Sequence, residues 1–358
     1  MVEDSTSTTR FEWIDVSKGI GIILVVLVHS IIPLINSITT HLSSFAIPLF
    51  FVLAGLTYDS ERHQYRLKRL AKVRGQQFLV PYFCLYTIIM ILFYLVPNAV
   101  ETYLTPDQLV FWFFYGSGPP NQSTHLWFLP VLYFGFVLFI IIDRLLVNLP
   151  RYTRLILVPS LAVIATGINS SFAPMLVPWH LGSIIIAAIF MLIGNEIRNQ
   201  YGMMSWSTKF KVLDVVLIVA LSSLLILLSE LNGFTDIAVD NLGNSVWLYL
   251  INGTIGTSVV FIAASLLADQ SVFTRTRLSQ LGNMSQEVYE FHPLTFLLMT
   301  PILLLTGWAL VDIQTNFNNL WILRFSLGMI VSILVVVFVI RKNRFLSVIF
   351  TGFQQRRH

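Results

Sequence analysis

The chain has 358 residues, of which 56% are hydrophobic and only 11% are charged, with a formal net charge of +4. A soluble domain carries roughly 25% charged residues, so this composition excludes soluble, disordered and fibrous proteins. The apolar runs are longer than the ~10-residue alternating strands of an outer-membrane barrel, which leaves a polytopic helical membrane protein.

Ten apolar segments approach the length of about 20 residues that a membrane-spanning helix needs, although the second and ninth are short. We interpret the first as a retained span, because no basic region and no small-residue cleavage site accompany it. No linker divides the chain, which predicts one membrane-embedded domain over residues 1–358, with cytoplasmic tails at about 1–13 and 341–358. The predicted spans are Ile14–Ile35, Ser43–Tyr58, Phe78–Val96, Leu126–Ile142, Thr153–Ile168, Leu181–Ile197, Val212–Glu230, Val246–Ala268, Pro293–Gly307 and Leu320–Ile340.

The basic residues predict the orientation of these spans. Of the 22 Lys and Arg, 20 lie in the two tails, in the even-numbered connections or, for Arg154, at the adjoining end of a span, and the odd-numbered connections carry acids instead. Basic residues favour the cytoplasmic side, so we expect both termini in the cytoplasm. The two remaining bases, Lys18 and Arg324, lie within spans. We expect Arg324 to pair with Asp312 or to extend to the membrane interface.

The first span is the richest in ionisable groups. Lys18 and His29 are eleven residues apart, which places them on one helix face about 16 Å apart along the axis. Asp15 precedes Lys18 by three residues on the same face. Histidine suits a general base because its ordinary pKa lies near neutrality. The spacing leaves open the alternative that Lys18 extends to the interface and His29 bonds a neighbouring carbonyl.

Five segments, in order along most of the chain, resemble the acyltransferase-three family of integral membrane O-acyltransferases, and the second is most similar to the fucose 4-O-acetylase-like branch. They are FEWIDVSKGIGIILVVLVHS (11–30), FAIPLFFVLAG (45–55), RLKRLAKVRGQQFLVPYF (66–83), HLWFLPVLY (125–133) and LGNMSQEVYEFHPL (281–294). Many members have Arg at the position of Lys18 and an apolar residue at that of Glu290. The hydrolase-like domain that some relatives carry has no counterpart in this sequence, so we expect the membrane domain or a separate partner to complete the transfer.

The resemblance implies an acyl-CoA donor, most often acetyl-CoA, and no bound cofactor. We expect His29 to be the base, and Asp15 and Lys18 to orient the donor or the helix. The cysteine content gives one further limit, because Cys84 stands alone and permits neither an internal disulfide nor a metal site of paired cysteines. We therefore expect no metal site.

The basic segment before the third span is a candidate donor site. Arg62, Arg66 and Arg69 follow helical spacing on one face, and arginine forks match the phosphate oxygens of CoA. Ordinary cytoplasmic charge that contacts anionic lipid is the alternative.

Two further pairs of residues are candidates for the two substrate paths. Tyr289 and His292 stand at the cytoplasmic start of the ninth span, where they would line the donor path or serve capping and packing. His125 and Trp127 stand at the outer mouth of the fourth span, on the acceptor side. For Trp127 the alternative is an anchor at the membrane interface.

These observations predict an all-α protein of about ten transmembrane helices that moves an acyl group from cytoplasmic acyl-CoA to a hydroxyl of a cell-surface or lipid-linked glycan. We expect it in the plasma membrane, specifically a bacterial inner membrane, with membrane lipid and the two substrates as partners and no nucleic acid. The alternative is a secondary transporter of a small anionic or sugar solute, although such folds are typically built from paired repeats that this sequence lacks. A non-catalytic scaffold also stays open.

Overall fold

The architecture comes from a computed structural model, which describes residues 11–32, 34–60, 67–95, 105–118, 124–146, 148–149, 152–203, 205–208, 210–270, 272–296 and 298–352. Over these ranges the chain is helical, and strand-like pairing is limited to an isolated bridge between Asp236 and Asn241. The predicted all-α class is therefore confirmed.

The helices of the described residues are numbered in chain order, and short turns join several of them. The α-helices are α1 (Glu12–Ile31), α2 (Ser37–Ser43), α3 (Ala46–Leu56), α4 (Leu67–Leu95), α5 (Pro106–Tyr115), α6 (Phe128–Leu146), α7 (Tyr152–Phe172), α8 (Leu181–Tyr201), α9 (Lys211–Asn232), α10 (Val246–Gln270), α11 (Val272–Gly282), α12 (Ser285–Phe296), α13 (Met299–Leu305), α14 (Leu310–Thr315), α15 (Trp321–Val335) and α16 (Arg344–Thr351). The 3₁₀ turns are Thr124–Trp127, Pro178–His180, Ile237–Val239 and Phe317–Leu320, and a π turn, Val336–Ile340, extends α15.

Seven helical segments in the described part of the chain are long and apolar enough to cross a membrane, and the bent pair α12–α13 makes an eighth if it counts as one span. Two other predicted spans fall on α4 and α7, helices of 29 and 21 residues with an internal proline each. The polytopic membrane class is confirmed, and ten spans remain a prediction. The seven segments are Glu12–Ile31, Ser37–Leu56, His125–Leu146, Pro178–Tyr201, Lys211–Asn232, Val246–Asp269 and Phe317–Ile340.

The predicted boundary between the first two spans is wrong. Helix α1 ends at Ile31, and Ile32 is extended with ψ 137°. The residue before a proline disfavours the helical region, and Pro33 follows Ile32 in the sequence. The next helix then starts at Ser37, earlier than predicted, because Asn36 and Thr39 cap each other's backbone N–H groups.

The predicted start of the ninth span at Pro293 is also wrong, since α12 begins at Ser285 and Pro293 lies inside it. An apolar-run search misses this helix because it contains Glu287 and Glu290, which are nonetheless buried to 3% and 0% exposure. Tyr289 and His292 consequently lie in the helix interior, among neighbouring helices, rather than at its cytoplasmic start.

Helix α1 lies at the centre and contacts α3, α10, α11, α12 and α15. Its contact with α11 is backbone to backbone, because a Cβ atom on Gly282 would lie 1.8 Å from the carbonyl oxygen of Asp15. Helices α3 and α8 meet in the same way, and a Cβ on Gly55 would lie 1.9 Å from the carbonyl oxygen of Met191. Small residues at helix contacts are typical of membrane bundles, and here they fix the position of α1.

For the residues after the last span, the sequence predicts only a tail from residue 341 onward, but part of this segment folds as helix α16. Asn343 caps α16, whose one face buries Ser347 and Phe350. This helix contacts α4 and α12, and the side-chain amide of Gln286 donates to the backbone carbonyl of Gln77 at 2.8 Å. Helix α16 therefore forms one layer with α4 and α12.

Candidate active site

Two histidines from distant parts of the chain meet near the outer end of α1. His29 lies in the last turn of α1, and its Nδ1 is 2.7 Å from Nε2 of His292 on α12. The two rings are nearly parallel, with an interplanar angle of 10° and centroids 5.0 Å apart. His292 is fully buried and His29 is half-buried. A hydrogen bond between two imidazoles links their tautomers.

The backbone of α12 selects those tautomers. His292 Nδ1 lies 2.8 Å from the carbonyl oxygen of Tyr289 and 3.2 Å from that of Val288. Carbonyl oxygens only accept, so this nitrogen carries the proton, and Nε2 of the neutral ring accepts from Nδ1 of His29. The assignment leaves Nε2 of His29 with its lone pair, and no described residue hydrogen-bonds to that atom. The free nitrogen is the one that a general base needs.

A cavity of about 410 Å³, here called the inner cavity, lies on the side of the molecule where α1 begins and the last span ends. Lys18 near the start of the first span and Arg341 at the end of the last span both line this cavity, so these two span ends lie on the same side of the molecule. Its polar lining comprises Lys18, Thr57, Arg74, Gln77, Asn283, Ser285, Gln286, Glu287, Tyr289, Arg341 and Thr351.

The charged groups of the inner cavity are held by specific partners. Arg341 donates to Oε1 of Glu287 from Nε at 3.0 Å and from Nη2 at 2.6 Å. Arg74 donates to Oε1 of Gln77 at 2.8 Å, and Lys18 Nζ lies 3.4 Å from Oδ1 of Asp15. The lining holds three cations and one carboxylate, and Asp15 pairs with Lys18 from beneath it, so positive charge is in excess and the cavity suits an anionic ligand.

A second cavity of about 420 Å³, here called the outer cavity, contains the histidine site. Ile47 lines both cavities, and Tyr289 of the inner lining donates its hydroxyl to the backbone carbonyl of His125 in the outer one. The side chain of Ile47 therefore separates the two cavities at this point, and we call this boundary the partition. The polar lining of the outer cavity comprises His29, Ser43, His125, Trp127, Thr235 and Asp236.

Both residues that the sequence assigned to the acceptor side line the outer cavity. Trp127 is only 5% exposed and packs against Phe128 and His180, so its alternative role as an anchor at the membrane interface is wrong. The Nε2 atom of His125 is buried and has no hydrogen-bond partner among the described residues. A buried polar atom without a partner is costly, and a ligand in the cavity would satisfy it.

The outer loop between α9 and α10 supplies the acidic part of this lining. Asp236 is half-buried, and burial raises the pKa of its carboxyl group, an effect that the hydrogen bond from the backbone N–H of Ala238 opposes. Burial also raises the pKa of Asp240, which accepts from Val177 N–H and from the Ser183 hydroxyl and does not line the cavity.

The structure separates the residues that the sequence assigned to the donor. Arg62 and Arg66 lie outside the described residues, and Arg69 is exposed on α4 without lining the inner cavity. Tyr289 lines that cavity, whereas His292 instead bonds His29. Their roles in donor binding stay predictions.

The three candidate residues of the first helix, Asp15, Lys18 and His29, lie at two different cavities. Lys18 lines the inner cavity, and Asp15 is buried beneath it at 5% exposure. His29 lines the outer cavity. Lys18 and Asp15 thus lie at the inner cavity, and His29 lies at the outer one.

Sequence reasoning missed Arg324, which is 2% exposed. Its Nε donates to the backbone carbonyl of Ser30 at 2.8 Å, its Nη1 donates to that of Phe317, and its guanidinium lies over the Phe317 ring. The expected pairing with Asp312 is wrong, since Asp312 is exposed elsewhere. The backbone carbonyls in the last turn of a helix lack intrahelical partners. Arg324 therefore caps α1 at the carbonyl of Ser30, the residue that follows His29. The available signal was an arginine within an apolar span.

Comparison with known proteins adds one match. Residues 11–341 match the model of a protein family described as an acyltransferase domain. No curated protein and no solved structure matches the chain. The matched range begins just before α1 and ends after the last span, so it includes the histidine pair, the whole outer cavity and all of the inner lining except Thr351. Within the described residues, no three His, Cys, Asp or Glu side chains are grouped so as to hold a metal ion.

Proposed function

Because the chain belongs to the acyltransferase domain family, we propose that this membrane acyltransferase moves an acetyl group from CoA in the inner cavity to a glycan hydroxyl in the outer cavity. The observation that carries the proposal is the His29–His292 pair, in which His29 keeps a free imidazole nitrogen and lines the outer cavity, while the His292 ring contacts Tyr289 of the inner lining. The setting is the plasma membrane, most simply the inner membrane of a bacterium.

The inner cavity fits the donor by charge and by shape. The phosphates of CoA would be held by Lys18, Arg74 and Arg341, because charge-assisted hydrogen bonds from cations to phosphate are strong. The apolar lining next to Tyr289, which includes Phe50 and Phe128, suits the pantetheine arm and the acyl group. A donor bound in this direction has its thioester near the partition and its phosphates at the cytoplasmic end.

The histidine pair supports the proton transfer. Nε2 of His29 takes the proton of the acceptor hydroxyl while the hydroxyl oxygen attacks the thioester carbon. Nδ1–H of the resulting imidazolium continues to donate to His292 Nε2, which stabilises the charge and holds the ring in place. When the C–S bond breaks, the thiolate leaves and takes the proton back from His29, so the products are the ester and CoA thiol.

Nε2 of His125 completes the proposed site. The tetrahedral intermediate carries a negatively charged oxygen. Hydrogen-bond donors that point at such an oxygen commonly make the largest single contribution to the rate enhancement. His125 lines the outer cavity with an unsatisfied ring nitrogen, so in its Nε2-protonated tautomer it would donate to that oxygen.

The test uses inverted membrane vesicles from deletion cells that express each variant, because such vesicles retain the native acceptor and expose the cytoplasmic face. [¹⁴C]Acetyl-CoA is added, and radioactivity in the glycan fraction is measured over time. His29→Gln should lower the initial rate by about 10²–10⁴, as expected for loss of a general base, without changing [³H]CoA binding.

A matched control is His41→Gln. His41 bonds the Ser229 hydroxyl at 2.7 Å and lines neither cavity, so its loss should leave the rate near wild type. Mass spectrometry of surface glycans from wild-type and deletion cells identifies the ester. No incorporation by the wild type, or equal rates in His29→Gln and wild type, would contradict the proposal.

A further inference from the structure

The outer cavity differs from the inner one in the sign of its charge. Among the described residues that line it, Asp236 carries the one carboxyl group, and none is Lys or Arg. An acceptor that carries a carboxylate or phosphate at this place would face Asp236 without a compensating cation. Such a lining would disfavour anionic acceptors.

Asp236 is held firmly by its own loop. Its Oδ1 accepts from the backbone N–H of Ala238 at 3.0 Å, and its backbone pairs with Asn241 in both directions, at 2.8 and 3.0 Å. The Ile237–Val239 turn that it caps contacts the Thr124–Trp127 turn, which carries His125. The carboxylate is thus fixed relative to the catalytic wall of the cavity.

One oxygen of this carboxylate is left for a ligand. No described residue donates to Oδ2 of Asp236, although a carboxylate accepts several hydrogen bonds. Beside it, the Thr235 and Ser43 hydroxyls lie 3.3 Å apart and provide further donors and acceptors in the same lining. Trp127 adds a flat apolar wall. This combination matches a molecule with several neutral hydroxyls and apolar C–H faces.

We propose that the outer cavity binds a neutral sugar, and that Asp236 accepts hydrogen bonds from hydroxyls next to the one that is acylated. This inference rests on the proposed function, because it concerns the acceptor of that same reaction. Asp236 is a specificity-determining residue for the acceptor and takes no part in the proton transfer.

The first experiment measures binding without turnover. Saturation-transfer NMR is recorded on the full chain in nanodiscs with two matched pairs of probes, methyl glucoside against methyl glucuronide and methyl galactoside against methyl galacturonide. We expect each neutral sugar to bind at least tenfold more tightly than its uronic acid. Equal binding within both pairs, or no binding of either neutral sugar, would overturn the inference.

The second experiment replaces the carboxylate. Asp236→Asn keeps the N-cap acceptor for Ala238, since asparagine caps as well as aspartate, so the loop should keep its fold. It should weaken neutral-sugar binding about tenfold, the scale on which a hydrogen bond to a charged group contributes, and should reduce the preference over the uronic acids. Asp240→Asn is the control, because it removes a charge from the same loop outside the cavity.

The two proposals fail in different ways. If wild-type vesicles incorporate no acetyl group, the proposed function is wrong. If they incorporate it normally and Asp236→Asn binds both classes of sugar as the wild type does, only the assignment of Asp236 is wrong.

Discussion

The inner and outer cavities have almost the same volume, about 410 and 420 Å³, yet they are lined by opposite charges. Lys18, Arg74 and Arg341 line the inner one, whereas the outer one has Asp236 and, in the described lining, no Lys or Arg. Under the proposed function, this difference would favour a polyanionic donor in the inner cavity and a neutral acceptor in the outer one. His29 of the histidine pair lines the outer cavity, and His292 packs against Tyr289, which lines the inner one.

After replacement of His29 itself, the largest effect is expected from the residue that holds this base in place. His292→Phe keeps an aromatic ring but removes the acceptor for Nδ1–H of His29, so the imidazole loses its tautomer and its orientation. We expect the acyl-transfer rate in vesicles to fall about a hundredfold, near the lower end of general-base effects, with [³H]CoA binding unchanged. A rate within twofold of the wild type would show that the pair is a packing contact.

A smaller effect is expected in the inner cavity. Lys18→Gln and Arg74→Gln should each raise the KM for acetyl-CoA about tenfold, because a hydrogen bond to a charged group contributes roughly 1.5–3 kcal/mol. The neutral-sugar binding of the outer cavity should not change. Titration of the vesicle assay with [¹⁴C]acetyl-CoA measures the KM.

Arg69→Gln is the control for that experiment, since Arg69 lies on the same helix as Arg74 but is exposed outside the cavity. We expect its KM to stay within twofold of the wild type, as for an exposed charge. If instead Arg69→Gln raised the KM and Arg74→Gln did not, the donor site predicted from the sequence would replace the inner cavity.

The smallest effect is expected from Arg324, which caps α1 beside the base. Arg324→Gln should lower kcat about fivefold through a less ordered His29, an effect of about 1 kcal/mol and typical of one lost hydrogen bond. Arg324→Lys, which keeps the charge and one donor, should recover part of that loss. The KM for acetyl-CoA should stay unchanged, whereas a purely structural role would lower protein yield and thermal stability with kcat per folded molecule unchanged.

The all-helical membrane class could be predicted from sequence, and His29 could be chosen as the candidate base, because apolar length and an ionisable group within an apolar span are local signals. The partner His292 was identified as a candidate but placed at a helix start, since Glu287 and Glu290 interrupt the apolar run. Only packing shows that these acids are buried, one of them against Arg341.

Other parts of the site depend on contacts between distant segments. Arg74 and Arg69 look equivalent in the sequence, and only the direction of each side chain from α4 decides which one lines a cavity. Arg324 and Ser30 are 294 residues apart, and their hydrogen bond follows from how α15 lies beside α1. Asp236 appears in the sequence as one acid among several in the outer connections, and the loop fold alone separates it from Asp240.

The central claim is that the two cavities open to opposite sides of the membrane and that only the inner one binds CoA. Single cysteines placed in a Cys84→Ser background test it directly. Thr57→Cys reports on the inner cavity and Ser43→Cys on the outer one. A membrane-impermeant maleimide is applied to either face of oriented vesicles, with and without CoA.

The account predicts that the cysteine at position 57 is labelled only from the cytoplasmic face and is protected by CoA. It predicts that the cysteine at position 43 is labelled only from the opposite face and is not protected. Labelling of both from one face, or equal protection of both by CoA, would contradict the account.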